Sequence, residues 1–189
     1  MTKLTDKVIR GTLRNYLAAQ NPRALLEELR VHNGNAIADV VCIHDVAHCY
    51  EIKGETDEIR RISRQGSYYD LVFSKVTLVT TSNHLPTAMR MAPAHWGLMI
   101  AEHAPNRLVQ LRALRGAQES SAFDKKLALL TLWKSELLSL CENPSALQKH
   151  SRDRLSAQIA ENTDAQVVSA NIGTLLAKRH ANNGWSFAM

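Results

Sequence analysis

A chain of 189 residues that is 45% hydrophobic and 22% charged can bury a core of its own without disulfide staples, and it is too short for two full domains. It carries no low-complexity tract and no internal repeat, and its longest apolar runs, such as Leu98 to Ala101 and Leu127 to Leu130, fall far short of a membrane span. The net charge of +5 and pI near 9.3 tilt toward a polyanionic partner without requiring one.

Thr5 can cap a first helix with the apolar stripe Ile9, Leu13, Tyr16 and Leu17. Lys3, Lys7, Arg10 and Arg14 recur on another side, as either a solvated face or a basic ridge toward a phosphate backbone. Asn21-Pro22 has the form of a second helix start, carrying Leu25, Leu26, Glu28 and Leu29 and stopping near Asn33-Gly34. The run from Ala36 onward then changes period. Ile37-Ala38-Asp39-Val40-Val41-Cys42 and Cys49-Tyr50-Glu51-Ile52-Lys53 read as a hairpin, and a three-residue loop, His44-Asp45-Val46, would set Asp39 opposite Glu51.

Gly54 to Ser74 reads as a helix packed through Ile59, Ile62, Gly66, Tyr69 and Phe73, with Arg61, Gln65 and Tyr68 on a different face. Asp57 precedes Arg61 by four residues and can pair with it. Lys75 to Thr81 is a β-branched third strand of the buried kind, Leu85 to Met91 a short helix, His95 to Ile100 a further strand, and Val109 to Leu111 an added edge. Strand, strand, helix, strand is the α/β order. From about Gly116 the pattern turns helical, with Ser121 and Asp124 as a capping signature, Asn143-Pro144 as a restart and Thr163 with Gln166 as another start. Leu155 to Arg179 has the rhythm of a helix-turn-helix, but any helical hairpin shows it, and packing against the α/β core is the better reading. The expected division is an α/β core over residues 1–115 and a helical extension packed on it over 116–189.

The chemistry resides in the hairpin. Strand side chains alternate, so Asp39, Glu51 and Lys53 would share one side, and two carboxylates beside an amine are costly to bury without a partner. A hard divalent cation between the acids would neutralise them. Cys42, His44, His48 and Cys49 have zinc-compatible types, but Cys42 and Cys49 belong on opposite faces and cannot converge. Cys42, Cys49 and Cys141 make an odd count, and the start MTKLTDKVIRG lacks the apolar run of a signal peptide, so free thiols in a reducing cytoplasm are expected.

From Glu28 to Gly97 the sequence resembles the PD-(D/E)xK nuclease superfamily, the restriction-endonuclease-like fold, and looks closest to a small bacterial and phage branch. The residues that carry this are Glu28, Asp39, Tyr50-Glu51-Ile52-Lys53, Asp57, Arg60-Arg61, Arg64-Gln65 with Tyr68, Val76-Thr77-Leu78-Val79, His84-Leu85, and Pro93 before Trp96-Gly97. Two positions depart from the pattern: Ala38 stands where proline often precedes the first acid, and Ile37 where the branch has a basic residue.

The resemblance implies a mixed central sheet flanked by helices and a metal-dependent DNA nuclease. Asp39, Glu51 and Glu28 would hold Mg²⁺, with Mn²⁺ as its substitute. Lys53 would orient and help deprotonate the attacking water, Gln65 would brace that water or Lys53, and Arg61, Arg64 and Tyr68 would contact nucleic acid. DNA is the expected partner, a homodimer is allowed, and no membrane is involved. The alternatives are an inactive relative kept as a DNA-binding or protein-interaction module, and an enzyme directed at RNA.

Overall fold

The computed structural model describes residues 3–31 and 34–182. Among these, six strands form one mixed sheet in chain order: β1 (Ala24–Val31), β2 (Ala36–Ile43), β3 (Ala47–Ile52), β4 (Lys75–Thr81), β5 (Gly97–His103) and β6 (Val109–Arg115). β1, β2 and β3 run antiparallel, β3, β4 and β5 run parallel, and β6 returns antiparallel on the far edge. The parallel pairs need crossovers, which are supplied by a 3-10 turn (Ile59–Arg61) leading into α2 (Ile62–Val72), and by α3 (Leu85–Met91).

Helices cover both faces. Among the described helices α1 (Asp6–Ala18) lies alone on one face, where Ile9, Leu13 and Leu17 are fully buried against Leu25, Val40, Cys42, Tyr50, Ile52 and Val79. Burying those three side chains contributes roughly 5–9 kcal/mol gross, before the entropy of ordering the helix. The other face carries α2 and α3 together with α4 (Lys125–Leu129), α5 (Lys134–Ser139), α6 (Arg152–Asn162) and α7 (Ala165–Asn182). Leu129, Leu132, Leu155, Val168, Ile172 and Leu176 share one apolar cluster with Val41, Ile43, Val76 and Leu78 of the sheet. The helix-turn-helix rhythm therefore belongs to core packing. Asp124 accepts from Leu127 N–H to cap α4, and Ser151 accepts from Arg154 N–H to cap α6.

The segment expected to be a helix from Asn21-Pro22 is instead the edge strand β1, so Glu28 lies on a strand; the stop at Asn33 lies outside the described residues. The cause is local. Ala24 and Leu26 pack toward the α2 face, as do Leu29 and Val31, so the alternation slips by one residue at Glu28, which has a φ of 55°. β2 slips at the matching place: Val41 and Ile43 share that face with Ala38 and Ala36. The register runs unshifted through Glu27–Val40 and Leu29–Ala38, placing Glu28 across from Asp39. A spacing of three between Leu26 and Leu29 imitates a helix.

The expected helix from Gly54 also begins later, at Ile59, because residues 54–58 form a turn against the start of the chain. Glu55 N–H donates to Leu4 O, and a Cβ on Gly54 would stand 2.7 Å from that oxygen. Likewise, no helix restarts at Asn143-Pro144; the next one waits until Arg152.

Candidate active site

β2 and β3 pair as far as Val40–Tyr50 and Ile43–Ala47, which leaves the three-residue loop His44-Asp45-Val46 and puts Asp39 and Glu51 next in register. The strands part there. Asp39 Oδ2 accepts the Ile52 N–H at 2.8 Å, so a carboxylate takes the place of the next ladder bond. Its other oxygen, Oδ1, accepts from Arg10 Nη2 of α1 at 3.1 Å. A polar cavity of about 280 Å³ opens at this point, at the C-terminal end of β3 and between α1 and α2.

Glu51 is 1% exposed and Lys53 8%, and the Lys53 ammonium contacts Glu51 Oε1. Tyr69 of α2 donates from its hydroxyl to Glu51 Oε2 at 2.8 Å and lies 2.7 Å from the Ile37 carbonyl. Burial, and then the charge of Asp39, push the Glu51 carboxyl up to about 7, against the lowering pull of Lys53 and Tyr69. Gln65 Oε1 is buried at the cavity without a partner in the described structure. Asp6, Asp39, Glu51, Asp57 and Glu58 line the cavity against Arg10, Lys53 and Arg61, so acids exceed bases by two. A surplus of negative charge around a nearly dry carboxyl favours a cation.

The sequence matches, over residues 2–189, the family described as Bacteriophage P4 protein cII. The chain belongs to the Bacteriophage P4 protein cII family. No curated protein sequence matches it. Among solved structures, a protein of unknown function from Silicibacter pomeroyi is similar at 14% identity and a TM-score of 0.45, with 96% of this chain and 94% of that one covered.

In this cII-family chain, five of the side chains expected at the site, Asp39, Glu51, Lys53, Gln65 and Arg61, do line one cavity. Three do not. Glu28 is exposed on β1, Arg64 is exposed on α2, and Tyr68 is half-buried against the core on the α2 face. Asp57 does not hold Arg61; it accepts the Gly54 N–H at 2.8 Å. Among the described residues no set of three or more His, Cys, Asp and Glu side chains is arranged to hold a metal. The donor set is therefore Asp39 and Glu51, which suffices for Mg²⁺, since that ion is commonly held by one or two carboxylates and keeps several waters. The orphaned oxygen of Gln65 and the neutralisation demand of Glu51 fit such an ion.

For two residues of the cavity region the sequence pattern and the structure differ. Tyr69 falls in the packed stripe and is fully buried, yet its hydroxyl needs a polar partner and finds Glu51. Arg10 belongs by sequence to a side read as a solvated face or a basic ridge, and it turns inward to Asp6 and Asp39; Arg14 pairs with Glu27 at 2.8 Å. The ridge is thus half consumed by internal pairs. Arg60, Arg61 and Arg64 are exposed without an ion pair to a described residue, Arg61 among the residues that line the cavity, and Arg90 is exposed on the neighbouring α3. The hairpin zinc set does not assemble: Cys42 and Cys49 are buried on opposite faces, and His48 stacks on Tyr50 and bonds Thr77 Oγ1 at 2.9 Å. No described helix is long and apolar enough to cross a membrane.

Proposed function

We propose that this chain is a divalent-cation-dependent phosphodiesterase that cleaves DNA, with a core of the restriction-endonuclease-like class. The observation that carries the reading is the convergence of Asp39, Glu51 and Lys53 in one polar cavity where β2 and β3 part. Asp39 and Glu51 would hold the cation. Bound there, Mg²⁺, or Mn²⁺ in its place, supplies Lewis acidity toward a phosphoryl oxygen and lowers the pKa of water.

The chain's own groups do the remaining work. Lys53 Nζ, kept beside Glu51 and nearly out of solvent, places positive charge where a phosphodiester gains negative charge. Gln65 Oε1 offers a free acceptor that can orient a water or hold the Lys53 ammonium. Arg61, exposed yet lining the cavity, suits a phosphate backbone, and Arg60 and Arg64 are exposed near it in sequence.

A second reading has a specific observation in its favour. Asp39 and Glu51 each have a cationic partner in Arg10 and Lys53, an arrangement that an idle relative retained for binding DNA or a protein could keep without a metal. Plasmid and linear DNA, with RNA in parallel, incubated with Mg²⁺, with EDTA, and with the Asp39→Ala and Lys53→Ala variants separate the two. Cleavage confined to the unmodified protein with Mg²⁺ is expected. Equal nicking in all four, or none with Mg²⁺ or Mn²⁺, removes the nuclease reading.

A further inference from the structure

We infer that Arg10 is an additional substrate-holding residue, a guanidinium that pairs with Asp39 and would donate to a phosphate oxygen when a divalent cation takes that carboxylate. The inference rests on the reading of Asp39 as a cation ligand. Its physical basis is a count of donors. Arg10 Nε donates to Asp6 Oδ1 at 3.1 Å and Nη2 to Asp6 Oδ2 at 3.2 Å, while Nη1 reaches the Asp39 carbonyl oxygen at 2.9 Å. A fourth bond runs from Nη2 to Asp39 Oδ1 at 3.1 Å. An arginine has five N–H donors, so one is left over.

Only the fourth bond competes with a cation. The other three hold the side chain through Asp6 and a backbone carbonyl, neither of which changes if Asp39 Oδ1 is taken. The guanidinium would stay in place at the cavity wall with one N–H on each Nη nitrogen to offer, and charge-assisted bonds from a guanidinium suit phosphate oxygens. Arg14, one turn further along α1, shows the ordinary alternative: it is half-exposed and pairs with Glu27, which does not line this cavity. Arg10, with 16% of its side chain exposed, is enclosed by the site it serves.

Two equilibrium measurements on the full chain test this without cleavage. Free Mn²⁺ is followed by electron paramagnetic resonance for the unmodified protein, Arg10→Gln and Asp39→Asn. Binding of a labelled DNA duplex in Ca²⁺ is followed by anisotropy. With its competitor gone, Arg10→Gln should bind Mn²⁺ more tightly and DNA more weakly, each by roughly tenfold, the worth of one charge-assisted hydrogen bond. Unchanged or weaker Mn²⁺ binding, or full retention of DNA affinity, overturns the role of Arg10 alone. If Asp39→Asn binds Mn²⁺ as well as the unmodified protein, or neither it nor Arg10→Gln nor the unmodified protein binds any, the cation reading of Asp39 falls and takes this inference with it. Should Arg10→Gln not fold, Arg10→Lys keeps the charge and loses the guanidinium. It should bind Mn²⁺ near the unmodified level and DNA several-fold more weakly, and undiminished DNA binding would count against the proposal.

Discussion

The Tyr69 hydroxyl stands between two acceptors, Glu51 Oε2 at 2.8 Å and the Ile37 carbonyl at 2.7 Å, and so ties the candidate metal-binding carboxyl to the strand that carries Asp39. A hydroxyl has one proton to give, so the bond is shared between the two oxygens. Tyr69→Phe would leave both without that donor. Because the Tyr69 bond lowers the Glu51 pKa, its loss should move the carboxyl further above about 7, and the unmet acceptors should cost about 1–3 kcal/mol of stability. Carboxyl-detected NMR titration checks the first, denaturant unfolding the second. A Glu51 titration that moves downward would mean that Tyr69 is not donating to it.

The same carboxyl predicts a pH dependence that is hidden in the unmodified protein. Glu51 binds its proton more tightly folded than unfolded, so its contribution to stability is complete below about pH 4.5 and is lost as pH rises to about 7. The difference between those values corresponds to about 3 kcal/mol. His48 has the opposite sign: burial, with Lys75 and His44 nearby, lowers it to about 4, so its contribution is present above about pH 6.5 and lost as pH falls toward 4. The two windows overlap and largely cancel. Melting curves without divalent ions should therefore show Glu51→Gln losing stability as pH falls through 6 to 5 relative to the unmodified protein, and His48→Gln losing it as pH rises from 5 to 7. Parallel curves for all three proteins would contradict both assignments.

Much of this site could be read from the chain because it depends on short-range rules. The loop of three residues fixes the register that sets Asp39 next to Glu51, and β4 coincides with the β-branched run Lys75–Thr81. β1 could not be read so. Its leucines fall at helical spacing because Glu28 takes a left-handed backbone and β2 slips opposite it at Asp39, a paired irregularity that neither strand announces alone. Tyr69 and Arg10 escaped for a different reason. A residue type does not reveal which of its faces is polar in context, and an arginine on an amphipathic helix looks solvated until an acid 29 residues away comes within reach.

That slip makes Glu28 a control. It is exposed, it does not line the cavity, and it holds a φ of 55°, which costs a non-glycine residue about 1–2 kcal/mol. Glu28→Gln should leave Mn²⁺ binding and any cleavage within twofold of the unmodified protein. Glu28→Gly should keep the slip and raise the melting temperature, or at worst leave it unchanged, since flexibility in the unfolded chain offsets part of the gain. A loss of Mn²⁺ affinity in Glu28→Gln comparable with that of Asp39→Asn would restore this acid to the metal site.

The position of Arg10 depends in turn on a glycine that touches no charged group. A Cβ at Gly54 would come within 2.7 Å of Leu4 O, 2.8 Å of Asp6 N and 2.9 Å of Thr5 C, all backbone atoms that cannot rotate aside. Gly54→Ala must therefore push the entry of α1 away from the end of β3. Overpacking of this kind costs about 1–3 kcal/mol, and the displacement acts directly on Asp6, which anchors the Arg10 guanidinium through two bonds. Gly173→Ala is the matched comparison: its Cβ would stand 2.9 Å from Asp45 O, a similar backbone clash at the loop end of the β2–β3 hairpin with no link to α1. Both variants should melt earlier, but only Gly54→Ala should also shift Mn²⁺ affinity. Equal Mn²⁺ affinities in the two would mean that the Asp6–Arg10 anchor does not govern access to Asp39.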